Sequence, residues 1–200
     1  MTNQVDHRAV RLAPLLREEQ GGPATVHCYA HRESGLHAIS LEEGIAELDR
    51  ARIQSTRKPT IWIDIVNPGP AEETLMRDRL GLHQLAVEDC MRGRQRPKLD
   101  RYNGYLFLVV YAARFNQERR RTALEELHAF VGEQWIVTVH EHKMRLVNEV
   151  IIRWRNNEAM FPTTASLAHG LLDGVVDSYL PVVDHLGVHV DDIGHQILSD

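Results

Sequence analysis

Cysteine is nearly absent from this 200-residue chain: there are two, Cys28 and Cys90, far apart and in unrelated contexts. They build neither a disulfide framework nor a paired-cysteine zinc site, and they point to a reducing cytoplasm. A long apolar run is missing too. The longest uncharged apolar stretch, YNGYLFLVVYAA between Arg101 and Arg114, falls short of the about 20 residues that a membrane-spanning helix needs. Its β-branched and aromatic content marks a buried strand instead. The opening MTNQVDHRAVRLAP has no apolar core of a secretory signal. Nor is there a basic surplus. Lys and Arg number 23 against 28 Asp and Glu, a net charge of -5, which argues against nucleic acid as a partner because phosphate binding draws on positive charge. No glycine-rich nucleotide loop, HExxH pattern or Ser-His-Asp context is present, so catalysis has no support and the chain reads as a protein that is not an enzyme.

What is present is an ordinary globular composition, 43% hydrophobic and 26% charged, enough for a real core. Residues 1–23 are charged, end in Gly21-Gly22-Pro23, and read as a loose N-terminal segment. Strand character follows at 24–30 and 35–40. Ser40-Leu41-Glu42-Glu43 has capping-box form, predicting a helix with Leu41, Ile45, Leu48 and Ile53 near one face. PTIWIDIV (59–66) alternates as a strand does. Pro70 suits the first turn of a helix, Glu72 and Glu73 suit its positive end, and Gly81 stops it. A shorter helix is expected over about 83–90. Three strands are expected at 105–115, 123–132 and 135–142, with Asn116–Arg121 as a polar hairpin tip, and then an amphipathic helix at 144–157. These elements form an α/β domain over 24–160.

From 161 to 200 the pattern is helical, one long helix from about Thr164 to Asp200. Leu172, Val176, Tyr179, Val183, Leu186, Val190, Ile193 and Ile197 make its apolar stripe, and Pro181 is expected to bend it. The pattern meets no stop signal, which implies a piece of a longer protein. Strands mixed with helices place the chain in the α/β or α+β class.

Three charged features invite a functional reading. On a helix, Asp173, Asp177, Asp184 and Asp191 fall within roughly 40° of one another, with His195 on the same side. That is either a solvated face or a carboxylate rail for a hard cation. Glu88 and Asp89 are adjacent, so they do not face each other on a helix and need oxygens from another segment to hold an ion. Arg92, Arg94, Arg96, Lys98 and Arg101 follow within ten residues. Without glycines around them or aromatic platforms, they read as partners for a neighbouring acidic face. Of the 12 histidines, His140 and His142 share one side of an expected strand, and His185 and His189 share a helix side.

In order along the chain, Trp62-Ile63-Asp64 with Pro68, Leu82-His83-Gln84-Leu85-Ala86-Val87-Glu88-Asp89, Gln95-Arg96-Pro97-Lys98, Tyr102, Tyr105-Leu106-Phe107-Leu108-Val109, and Leu171-Leu172-Asp173 with Val176-Asp177 and Tyr179 resemble the cytoplasmic domain of CorA-type magnesium and cobalt transporters. The resemblance covers about residues 60–195. It implies a three-layer α/β/α fold with a mixed β-sheet between helices, followed by a long C-terminal helix. It also implies a homopentamer of identical subunits at the cytoplasmic face of the cell membrane, the membrane being reached only through a segment beyond this chain. The family's Gly-Met-Asn pore motif, its two membrane helices and its long stalk helix are not in the 200 residues. By resemblance, Glu88 and Asp89 lie at the subunit boundary and help bind regulatory Mg²⁺ with an aspartate from the neighbour's stalk, and Asp173 matches another acidic position near that site. The expected ion is Mg²⁺, with Co²⁺ or Zn²⁺ as alternatives. A related zinc transporter with the same cytoplasmic fold and a free-standing soluble metal-binding protein are the competing readings.

Overall fold

A computed structural model describes residues 22–53, 60–116 and 121–199. The expected loose segment (1–21) and the core of the expected hairpin tip (117–120) lie outside the described residues, as do the side chains of Ile53, Ile193 and Ile197. Strands β1 (Thr25–Arg32) and β2 (Gly35–Ile39) open the fold, followed by α1 (Leu41–Ile53), β3 (Thr60–Val66), α2 (Pro70–Thr74) and α3 (Gln84–Arg92). Next come β4 (Lys98–Tyr102), β5 (Tyr105–Asn116), β6 (Arg121–Gly132), β7 (Trp135–His140), α4 (Arg145–Asn156), α5 (Thr164–Asp177) and α6 (Leu180–Ser199). The strands form one seven-stranded sheet in the order β2-β1-β3-β7-β6-β5-β4. Only β3 and β7 pair in parallel; the other neighbours are antiparallel. The sheet is therefore mixed and lies between helices, the three-layer α/β/α arrangement expected.

Alternation along the strands assigns the two faces. Ile61, Ile63 and Ile65 of β3, Phe107 and Val109 of β5, and Val137 and Val139 of β7 meet α1, the segment around Met76 and Leu80, and α3 through Ala86, Val87 and Cys90. Trp62, Leu127, Ala129 and Ile136 face the other way, onto Val147, Val150, Ile151 and Trp154 of α4 and Leu167, Leu171 and Val175 of α5. The lone cysteines are core. A Cβ at Gly44 would sit 2.4 Å from Cys28 Sγ, so only glycine lets α1 lie this close to β1. Burial pushes the Cys28 thiol up to about 12 and raises Cys90 well above its usual range, which leaves both thiols inert.

One buried polar chain crosses the parallel junction. Trp62 Nε1 donates to Thr138 Oγ1 at 2.9 Å, and Thr138 Oγ1 donates to Asp64 Oδ1 at 2.5 Å. His140 Nε2 lies 2.9 Å from the same carboxylate oxygen, and its Nδ1 lies 2.6 Å from the His142 carbonyl. Trp62, Asp64, Thr138 and His140 are all buried. Here the structure departs from the expected His140/His142 pair. β7 ends at His140, and His142 contributes its backbone oxygen.

Other departures have local causes. Lys98–Tyr102 is an additional strand, β4, at the edge of the sheet beside β5, where no strand was expected. An edge strand tolerates the charges that disguise KLDRY as a loop. Ser40 Oγ accepts from Glu43 N at 3.2 Å, but the Glu43 carboxylate turns to Arg32 instead of closing the capping box. The Pro70 helix starts as expected and has a π-helical turn at Leu75–Arg79 before Gly81, whose φ is +69°. The long C-terminal helical region forms as expected, and it is interrupted at Ser178 and Tyr179, just before the proline that was expected to bend it. Pro181 lacks the N–H that would bond the Asp177 carbonyl, and its ring crowds that carbonyl. Ser178 Oγ instead accepts from Ala113 N at 2.8 Å, and Tyr179 Oη donates to Tyr111 O at 2.8 Å, so the junction is fastened to β5. No helix among the described residues is long and apolar enough to cross a membrane.

Replacing Thr138 with Val keeps the shape of the side chain but strands the Trp62 N–H and removes a donor from Asp64. Urea unfolding of the variant is expected to show a loss of about 2–3 kcal/mol; an unchanged midpoint would remove the polar chain from the account of stability.

Candidate functional site

The segment from α3 to β4 carries the densest charge. His83 caps α3, its Nδ1 accepting from Leu85 N at 3.3 Å, and its own N–H donates to Tyr105 Oη at 2.8 Å. With Ala86, Val87 and Cys90 turned into the core, Glu88 and Asp89 point away from it. Glu88 pairs with Arg92 one turn on. Asp89 Oδ2 lies 2.7 Å from Lys98 Nζ, and the same ammonium lies 2.8 Å from Asp100 Oδ2. The hydrogen bonds to Asp100 and then to Asp89 hold the Lys98 ammonium well above its ordinary pKa, so Lys98 stays charged and occupies both carboxylates. Two cations of the basic run, Arg92 and Lys98, thus pair with acidic neighbours. The Tyr102 and Tyr105 rings stack at 5.2 Å against the core rather than offering a platform to bases.

The turn between α3 and β4 is held by a residue that no motif marked. Gly93 has φ +60° and Arg94 φ +56°, and this turn brings the backbone N–H groups of residues 94 and 95 to one acceptor. The Glu126 carboxylate on β6 accepts from the Arg94 and Gln95 N–H groups, the latter at 2.9 Å. His128 Nε2 lies 3.1 Å from Glu126 Oε1. Burial acts to raise the Glu126 pKa, but His128 and the two backbone N–H groups outweigh it and hold the carboxyl below its usual value. Tyr111 Oη donates to Gln95 O at 2.6 Å and closes the turn. The clue that sequence offered was a glutamate, Glu126, two residues from a histidine, and only the fold brings it to residues 94 and 95.

Asp173 sits elsewhere. It lies on the outer side of α5, exposed, with Arg153 Nη1 of α4 3.9 Å away. α3 covers one face of the sheet and α5 the other. The sheet therefore stands between the Glu88-Asp89 pair and Asp173, and one chain does not bring the three together. Asp177, Asp184 and Asp191 are exposed too, on either side of the junction at Ser178–Tyr179. Among the described residues no group of three or more His, Cys, Asp or Glu could hold a metal ion.

The sequence profile of a family described as "CorA-like Mg2+ transporter protein" matches residues 57–200. YfjQ of Bacillus subtilis, whose name assigns it provisionally to metal ion transport, is 35% identical over 150 residues, 73% of this chain and 45% of that protein. Among solved structures, the full-length CmaX protein superposes with a TM-score of 0.71 at 14% identity, over 91% of this chain and 54% of that one. The complete CorA magnesium transporter of Methanocaldococcus jannaschii gives 0.62 at 13% identity, over 87% and 51%. At these identities the structural likeness is one of fold. The chain spans about half the length of each of these relatives or less.

Glu126 gives a pH test. Its carboxyl is depressed below its ordinary 4.5 in the folded state, so its stabilisation is complete above that value and is lost as pH falls through the folded pKa. Glu126→Gln is expected to cost about 1–3 kcal/mol at pH 7 by urea unfolding, and the gap to the parent should narrow as both are acidified below 4.5. A gap that stayed constant with pH would mean the ionised carboxylate is not what holds the turn.

Proposed function

Since the chain belongs to the CorA-like Mg²⁺ transporter family, a family of transporters rather than enzymes, we propose that it is the cytoplasmic regulatory part of a channel for Mg²⁺ or Co²⁺. In this reading identical subunits assemble as a homopentamer, and intracellular Mg²⁺ closes the pore by engaging Glu88, Asp89 and Asp173. The transported ion is the cargo, not a resident cofactor.

The observation that carries the reading is the separation of those carboxylates. Glu88 and Asp89 lie on one side of the sheet and Asp173 on the other, so a site drawing on both sides is made between chains. The donor set, carboxylate oxygens only, fits a hard ion that keeps several waters. Each carboxylate already rests against a cation of its own chain, Arg92, Lys98 or Arg153. Giving one up to Mg²⁺ is an exchange, and exchange weakens the apparent affinity. Weak sites suffice in a ring: swinging a two-state gate from 1:99 to 99:1 needs about 10⁴-fold differential affinity, which over five equal sites is roughly sixfold each. A second observation supports assembly. Leu172, Val176, Tyr179, Val183, Leu186 and Val190, the expected apolar stripe, are exposed, and a stripe of this spacing and size on a soluble surface seeks a partner helix.

In the full-length transporter, Asp89→Asn is expected to leave transport running at Mg²⁺ concentrations that shut the parent. Lys98→Met, which frees the Asp89 carboxylate, is expected to lower the concentration needed for closure. Ion-flux assays across a Mg²⁺ series separate the two; if both variants close like the parent, Asp89 has no part in gating. Leu186→Glu is expected to weaken self-association in sedimentation, and an unchanged oligomer would take the stripe out of the interface.

A further inference from the structure

His185 and His189 are the pair that the transport reading leaves unused. They stand one turn apart on α6, on the same side of the helix. Their rings meet edge to face with centroids 4.3 Å apart and planes inclined at 76°. The Phe115 ring at the end of β5 packs 4.6 Å from His185, tilted at 43°, and narrows the positions that the first imidazole can take. Both histidines are half-buried, so the rings are held against the domain and are not free in solvent.

We propose that His185 and His189 form a two-imidazole clamp for a borderline divalent ion, Zn²⁺ or Co²⁺. Imidazole nitrogen suits such ions, whereas Mg²⁺ takes oxygen. The clamp would therefore discriminate against the ion that the carboxylates of α3 and α5 suit. Two imidazoles supply part of a coordination shell and leave its other positions to further donors. The residues between them are Leu186, Gly187 and Val188. The segment therefore does not match the HExxH protease pattern. An ion shared by the two rings staples one turn of α6 and, through His185, presses that turn onto Phe115. The helix that carries the exposed stripe would then respond to a second metal, by chemistry independent of the carboxylates.

The test is a Zn²⁺ titration of the chain with its histidines isotopically labelled, read by NMR and by calorimetry. Imidazole signals of His185 and His189, assigned with H185N and H189N, are expected to move together and saturate, while Mg²⁺ leaves them in place. Removing either ring is expected to weaken the tightest Zn²⁺ event by about tenfold or more, the scale of loss that follows even from removing a group that only supports a ligand. The proposal is overturned if only one of the two rings responds, if Mg²⁺ moves them equally, or if Zn²⁺ shifts other histidines and leaves these two still. The NMR arm uses the parent chain, so it decides the matter even where a variant folds poorly. Loss of Mg²⁺ gating at Asp89 would not affect it.

Discussion

Everything in this fold hangs on the parallel contact between β3 and β7. It joins two antiparallel halves, β2-β1-β3 and β7-β6-β5-β4, and it is where the chain buries an aspartate. A carboxylate in that position is tolerable only because Thr138 and His140 both meet its Oδ1; uncompensated, it would cost several kcal/mol. The same chain of bonds sets the register. Asp64 stands opposite Thr138 in the ladder, and a one-residue slip would turn Asp64 and Trp62 toward the aliphatic face. Because each face then receives its own helices, the polar junction decides indirectly which helix covers which side.

That division has a consequence for cation chemistry. Carboxylates on α3 and α5 are separated by a layer of backbone whose interior is apolar on both sides. Charge is settled within each side by local partners, Arg92 and Lys98 on one and Arg153 on the other. Glu88, Asp89 and Asp173 thus each have a cation of their own chain beside them. Any ion that links the two sides must come with a second subunit, and the free energy it supplies is the difference between two ion pairs and not the full attraction of bare carboxylates.

Much of this was legible in the residues. The strands that alternate, Thr60–Val66 above all, and the helix that starts at Pro70 and stops at Gly81 follow from period and capping chemistry. The family resemblance carried on residues 62–109 anticipated the three layers. Four things were not legible, each for a physical reason. β4 was missed because an edge strand wears charges that elsewhere mark a loop. Pro181 announced the bend, but not its fastening: Ser178 and Tyr179 are held by hydrogen bonds to β5, which lies more than 60 residues earlier in the chain. The Glu126 clamp depends on left-handed backbone at Gly93 and Arg94, and arginine gives no hint of it. Lys98 read as one member of a basic run, whereas the β4–β5 pairing makes it the specific partner of Asp89.

Tyr111 ties these pieces together. Its hydroxyl donates to the Gln95 carbonyl, in the turn that Glu126 holds and that leads from Asp89 to Lys98. Its own carbonyl accepts from Tyr179, at the junction between α5 and α6. One residue of β5 therefore touches the α3 side of the sheet with its side chain and the helical junction on the other side with its backbone. A change in the α3–β4 turn, such as Lys98 losing Asp89, has a short route to the point from which α6 departs. A sheet is stiff along its strands and close-packed across them, so a small shift at Gln95 is not absorbed locally. The junction at Ser178–Tyr179, fastened to β5 through Ala113 and Tyr111, is therefore where the α3–β4 turn and the start of α6 meet on one strand.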